Sequence, residues 1–196
     1  MSDMNPASIS KPVLRREMRA AVRAVASDEL NGRAKSLVHH LTTDGRWLGT
    51  GDTVALFGGL PEEPDLLPLL PWLQDRGARA VFFAVSGQTL IPYEVRTVSD
   101  LRRGTLGIWE PVDDPALLVS PADLTTILTP ALAFGQSDGS RIGRGAGFYD
   151  RLFSLPVVKA KRIGIAFDLQ VVPHIPTEPH DARVDAIVTE SGWIRF

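Results

Sequence analysis

The stretch from Thr125 to Phe153 reads TTILTPALAFGQSDGSRIGRGAGFYDRLF. Its opening, Thr125 to Phe134, is an apolar, strand-like run, and its close, Phe148 to Phe153, reads as a short helix. Between them Gly139 to Arg151 packs four glycines and three arginines into thirteen residues. Glycine reaches positive φ and lets the backbone come close to a ligand. The free N–H groups and positive dipole at a helix start favour phosphate. Arg141, Arg144 and Arg151 add guanidinium forks that match phosphate oxygens. The spacing is neither the P-loop pattern nor the dinucleotide pattern G-x-G-x-x-G. From the residues alone two readings stay open, a phosphate loop and a surface loop carrying solvated arginines.

Outward from this connection, strands and helices alternate. Lys11 to Val25 carries Leu14, Met18, Ala21, Val22 and Val25 at helical spacing, with Pro12 in the first turn. Its other side bears Lys11, Arg15, Arg19 and Arg23 every four residues, a stripe that composition alone reads as a solvated face. A second helix starts near Ser27 and Asp28, good N-cap types, and presents Leu30, Ala34, Leu37, Val38 and Leu41 on one side. Val54 to Phe57 reads as a buried strand, Leu66 to Arg76 as a helix stopped by Gly77, and Ala78 to Val85 as an apolar strand for the centre of the sheet. Ser86-Gly87 turns the chain into Thr89 to Val95. Lys161 to Phe167 and Val184 to Thr189 close the pattern. The prediction is an α/β fold: one domain over 11–196 behind a flexible N-terminus at 1–10, with a mainly parallel open sheet and helices on both faces. Ligands of such sheets bind at the carboxyl ends of the strands, and the glycine loop, Glu63 and His180-Asp181 fall on that rim.

Composition narrows the function classes. A net charge of −2 argues against a general nucleic-acid binder, so any anion site must be local. With no cysteine there is no disulfide, thiolate metal site or cysteine nucleophile. The first ten residues lack an apolar core of the signal-peptide kind and no apolar run approaches a membrane span, which implies no membrane partner and a cytoplasmic location.

The string Arg141-Ile142-Gly143-Arg144-Gly145-Ala146-Gly147-Phe148-Tyr149-Asp150-Arg151 strongly resembles the signature of the 5-formyltetrahydrofolate cyclo-ligase family. Four further matches follow in the family's order: Lys11 with Arg15, Glu63-Pro64-Asp65, Gly107-Ile108-Trp109-Glu110-Pro111, and His180-Asp181 with Val184-Asp185. The resemblance implies ATP- and Mg²⁺-dependent closure of 5-formyltetrahydrofolate to 5,10-methenyltetrahydrofolate, with small-molecule substrates only and a monomer or small homo-oligomer. It implies that Lys11, Arg15 and the loop from Arg141 through Ile142, Gly143, Arg144, Gly145, Ala146, Gly147 and Phe148 to Tyr149 bind ATP. Arg144 is catalytic in this reading, Glu63, Trp109 and Phe148 face the folate, and Asp150 and Asp181 hold magnesium. Without the resemblance, Glu63 reads equally well as a helix-start carboxylate, Asp150 likewise, Asp181 as a loop hydrogen-bonder and Trp109 as a rim residue. Two departures stand out: the family usually has Tyr where this chain has Phe148, and often Gly or Lys at Ala146.

Gly135-Gln136-Ser137-Asp138-Gly139 also satisfies G-x-S-x-G, the nucleophile elbow, with Asp168 and His174 or His180 following in triad order. An elbow needs a helix directly after its serine, and here three more glycines, Gly143, Gly145 and Gly147, intervene. Serine hydrolysis through Ser137 and a folate- or nucleotide-binding module without turnover are the two rivals to the cyclo-ligase reading.

Overall fold

The computed structural model describes residues 10–104, 107–178 and 181–196; the expectations placed on residues 1–9 and on His180 lie outside these. Helix α1 (Lys11–Arg23) buries Leu14, Met18 and Val22, one residue per turn. Helix α2 (Ser27–Thr43) buries Leu30, Ala34, Leu37 and Leu41. Its cap is Ala26 rather than Ser27, and Asp28 and Glu29 supply the first-turn charge that suits the dipole. Strand β1 (Thr53–Leu56) is buried throughout. Helix α3 (Leu69–Gln74) is shorter than the pattern of 66–76 predicts, because residues 66–70 form tight i+3 turns ahead of it around Pro68. Gly77, at φ +71°, closes α3, with the Ala78 N–H reaching back to the Leu73 carbonyl at 3.0 Å.

Strands β2 (Arg79–Ser86) and β3 (Thr89–Glu94) form a hairpin across the Ser86-Gly87 turn, in the register Ser86 opposite Thr89. A small ribbon, β4 (Leu101–Arg103) with β5 (Trp109–Pro111), packs on β2. The run from Thr125 to Phe134 is two strands, β6 (Thr126–Pro130) and β7 (Ala133–Gly135). Pro130 ends the first, and the chain then turns out to pair with β8 (Arg141–Ile142). After α4 (Phe148–Ser154) come β9 (Lys161–Ile165), β10 (Val171–Val172), β11 (Ala186–Thr189) and β12 (Gly192–Arg195).

The main sheet has seven strands in the order β12-β11-β9-β6-β1-β2-β3, and β10-β7-β8 forms a three-stranded sheet of its own. The five strands from β11 to β2 run parallel, and only the edge strands β12 and β3 are antiparallel. The α/β reading with a mainly parallel sheet therefore holds. The predicted place of β2 does not: β6 is central and β2 stands next to an edge, since its hairpin partner β3 closes the sheet. Alternation along the strands gives two cores. Leu56, Phe82, Ile163 and Val188 pack with Leu37, Leu41, Leu69 and Leu73 of α2 and α3. Ala55, Val81, Phe83 and Ile127 pack with Leu152 and Phe153 of α4. Each fully buried Leu or Phe contributes about 1.5–3 kcal/mol against exposure. Leu14 and Met18 of α1 rest instead on Leu132, Ala133 and Ile142 of the small sheet, which brings the N-terminal basic stripe beside the glycine loop. No helix among the described residues is long and apolar enough to cross a membrane.

Candidate active site

A cavity of about 620 Å³ opens beyond the carboxyl ends of β1, β2 and β6. One wall is the glycine loop from Gly143 to Gly147 with Phe148, Tyr149 and Asp150 of α4. Lys11 and Arg15 close it from α1, Glu63 from the loop after β1, and Asp181 with Glu178 from the segment before β11. Phe83, Val85, Leu90 and Ile108 make the opposite wall apolar. Lys11 and Arg15, Glu63, the loop from Arg141 to Asp150, and Asp181 thus meet in one cavity from four separate parts of the chain.

The loop's glycines carry backbone that other residues resist. Gly145 sits at φ +108°, and Gly147, at φ +69°, is the left-handed residue that starts α4. No residue other than glycine has positive φ among the described residues, so Ala146 occupies an ordinary conformation and its departure from the family pattern brings no strain. Arg15 braces the loop by donating from Nε to the Gly143 carbonyl at 3.0 Å. Arg19, which the basic stripe left unassigned, donates from Nη2 to the Arg144 carbonyl at 3.2 Å.

Three of the cations expected at the phosphates, Lys11, Arg144 and Arg141, are each paired with a carboxylate. Lys11 Nζ lies 2.9 Å from Glu178 and 2.6 Å from Asp181. Burial works to lower its pKa, but the hydrogen bonds it donates to Asp181 and Glu178, with their charges, outweigh that and hold it above the usual lysine value. Arg144 places both Nε and Nη2 3.0 Å from Glu63 Oε1, while Glu63 Oε2 accepts the Leu60 N–H at 3.0 Å. Arg141 is buried, with Nη2 2.5 Å from Asp150 Oδ1 and a buried Nε that has no hydrogen-bond partner among the described residues. Burial depresses its pKa, offset by the charge of Asp150, and a guanidinium stays protonated regardless. Enclosure raises the Tyr149 phenol well above its ordinary range, and the Glu63 charge adds to the shift.

Other expected residues take different places. Trp109 does not line the cavity, although its neighbour Ile108 does. Its ring packs against the α2–α3 core and under the Arg103 guanidinium, 4.0 Å from the centroid. Its backbone meets Gly58, where a Cβ would come within 1.8 Å of the Trp109 carbonyl oxygen, so glycine there lets the ribbon dock on the end of β1. Ser137 is exposed and outside the cavity, and the next helix begins only at Phe148. Asp168 is hydrogen-bonded to Ser191, and His174 is exposed. The elbow is not built. Glu62, Glu178 and Arg19 are partners to which the sequence assigned no role; Arg19 carried a signal as part of the basic stripe and Glu62 through its adjacency to Glu63, whereas Glu178 carried none.

The family model for 5-formyltetrahydrofolate cyclo-ligases matches residues 7–190. The chain belongs to this family. A 5-formyltetrahydrofolate cyclo-ligase of Mycolicibacterium smegmatis is 35% identical over 153 residues, 74% of this chain and 77% of the relative. The Escherichia coli K12 enzyme of the same name is 34% identical over 143 residues, 71% and 78% of the two chains. The solved 5,10-methenyltetrahydrofolate synthetase of Aquifex aeolicus superposes with a TM-score of 0.82 at 28% identity, covering 95% of this chain and 93% of that one. The protein is accordingly a cyclo-ligase-family enzyme with the cyclo-ligase fold.

A divalent cation of the kind expected from the cyclo-ligase resemblance finds two hard-oxygen donors here, Asp150 and Asp181, both lining the cavity. Among the described residues no group of three or more His, Asp or Glu converges to hold an ion. Magnesium is commonly held by one or two carboxylates plus substrate phosphates and water. The donor set therefore fits an ion shared with a nucleotide and does not fit an all-protein cage.

Proposed function

We propose that the protein uses ATP to close 5-formyltetrahydrofolate to 5,10-methenyltetrahydrofolate, releasing ADP and phosphate. One observation carries this reading: a single cavity joins a glycine loop bordered by Lys11, Arg15 and Arg144 to an apolar wall of Phe83, Val85, Leu90 and Ile108. The first half suits phosphates and the second a flat heterocycle.

The chemical difficulty is a poor leaving oxygen. The formyl oxygen attacks the γ-phosphorus and the bond from that phosphorus to the bridging β,γ-oxygen breaks, so ADP departs. N10 then bonds to the activated carbon and loses its proton, and the C–O bond breaks to expel phosphate with the former formyl oxygen. Such transfers depend on positioning and charge neutralisation. In this reading the N–H groups of Gly143, Gly145 and Gly147 and the charges of Lys11, Arg15, Arg141 and Arg144 bind ATP. Ile142, Ala146 and Tyr149 shape the loop around the nucleotide. Glu63 and Phe148 orient the folate, and the apolar wall excludes water. Asp150 and Asp181 would hold Mg²⁺, which neutralises phosphate charge when bound.

The test is the absorbance of methenyltetrahydrofolate formed from 5-formyltetrahydrofolate, with and without ATP and Mg²⁺. Product that requires both supports the reading. Ligand binding without product would leave a binding module in its place.

A further inference from the structure

Arg144 and Glu63 are assigned to different ligands, yet they are bonded to each other. Both guanidinium contacts of Arg144 fall on one oxygen, Glu63 Oε1. Any folate donor that takes that oxygen must displace Arg144. The next carboxylate is Glu62, whose Oε2 lies 3.6 Å from Arg144 Nη2. Glu62 is itself held, since its Oε1 accepts from Arg23 Nε at 3.0 Å. The Arg144 carbonyl is held from the same helix by Arg19. Neither Glu62 nor Arg23 lines the main cavity, so neither is placed to touch a ligand there.

We propose that Glu62, anchored by Arg23, is a positioning residue that keeps the Arg144 guanidinium aimed into the cavity when the folate engages Glu63. The inference rests on the cyclo-ligase reading and deepens it. α1 supplies a fixed support, because Leu14 and Met18 are packed on the small sheet that carries the start of the glycine loop. Glu62 gives Arg144 a second carboxylate on which to pivot, and the exchange at Glu63 couples occupancy of the folate side to the phosphate side. Without Glu62, an arginine released by Glu63 has no carboxylate to limit its rotamers, and an angstrom of misplacement in such a group costs rate rather than ground-state affinity.

The test compares Glu62→Gln and Arg23→Ala in wild-type and Arg144→Ala backgrounds. Glu62→Gln should lower kcat about 10- to 100-fold while KM for 5-formyltetrahydrofolate stays within about threefold. Arg23→Ala should lower kcat less, and the double variant should be no worse than Glu62→Gln alone, because Arg23 acts through Glu62. In the Arg144→Ala background Glu62→Gln should change nothing further. An equal loss in both backgrounds overturns the proposal, as does a selective rise in folate KM, which would make Glu62 a direct contact. If wild type makes no methenyl product, the cyclo-ligase reading falls and takes this inference with it. Wild-type turnover with an unaffected Glu62→Gln variant removes this inference alone.

Discussion

Arg141 and Asp150 clamp the glycine loop at its two ends: the buried guanidinium on β8 bonds the carboxylate in the first turn of α4 at 2.5 Å. The side chain of Asp150 is 33% exposed and that of Arg141 only 3%, so the pair is dry on one side and open to the cavity on the other. The same carboxylate is a proposed magnesium ligand, which gives it two tasks.

Those tasks separate by substitution. Asp150→Asn keeps the shape but removes the charge opposite a buried arginine, and should cost on the order of 1–3 kcal/mol after allowance for its exposure. For a chain of this size each 1 kcal/mol lowers the unfolding midpoint by about 2–4 °C. If Asp150 also holds Mg²⁺, the variant needs more magnesium for half-maximal activity and recovers in part when it is supplied. A destabilised variant with an unchanged magnesium requirement would confine Asp150 to its structural role.

Arg144→Ala addresses the chemistry itself. In the proposed reaction it removes the positive charge that faces the transferring phosphoryl group, and arginines in that role are worth about 10³-fold or more in rate. kcat should collapse while the protein stays folded, because the side chain is partly exposed. Near-normal kcat with a raised KM for ATP would make Arg144 a ground-state binder and pass the rate effect to Arg141 or Lys11.

Trp109 and Ile108 sit side by side in sequence and face different surroundings. Ile108 lines the cavity, whereas the Trp109 ring lies between the α2–α3 core and Arg103. Trp109→Ala should therefore lower thermal stability and weaken both substrates together. Ile108→Ala should raise KM for folate by several-fold, with KM for ATP little changed. A folate-selective defect in Trp109→Ala would return that ring to the substrate.

The local parts of this fold were legible, and the missed parts are non-local. Leu14, Met18 and Val22 mark α1, and Gly77 marks the end of α3, because helical spacing and a left-handed turn are written into neighbouring residues. The position of β2 was not readable, since hydrophobicity reports burial and not order in a sheet, and the antiparallel hairpin alone sets its place. The glycine loop announced itself by composition and by its family signature. Its charge partners did not. Glu178 lies 167 residues from Lys11 in sequence, and Glu63 lies 81 from Arg144. No pattern in either segment names the other.

Ser137→Ala should leave cyclisation within a few-fold of wild type. Ser137 is exposed in the turn that Gly139 closes, no helix follows it before Phe148, and Asp168 is engaged with Ser191. A serine-directed phosphonate should not label the protein. Complete loss of activity in a folded Ser137→Ala variant would restore the nucleophile reading.

The last prediction concerns acid. Burial works to raise the Glu62 pKa, but the Arg23 hydrogen bond and the charges of Arg144 and Arg23 outweigh it, and the net shift is below the ordinary glutamate value of 4.5. A carboxyl group depressed in the folded state binds fewer protons there than in the unfolded chain. It adds stability above its unfolded pKa and loses that contribution as pH falls through the folded one. Wild type and Glu62→Gln should thus differ in unfolding midpoint by a constant amount from about pH 7 to 5.5, and the gap should close as pH drops below about 4.5. Added salt should narrow the gap at neutral pH, because the Arg23 side of the pair is open to solvent. A gap that persists unchanged to about pH 3 would mean that Glu62 gains nothing from its arginines in the folded protein, and the clamp on Arg144 would lose its electrostatic basis.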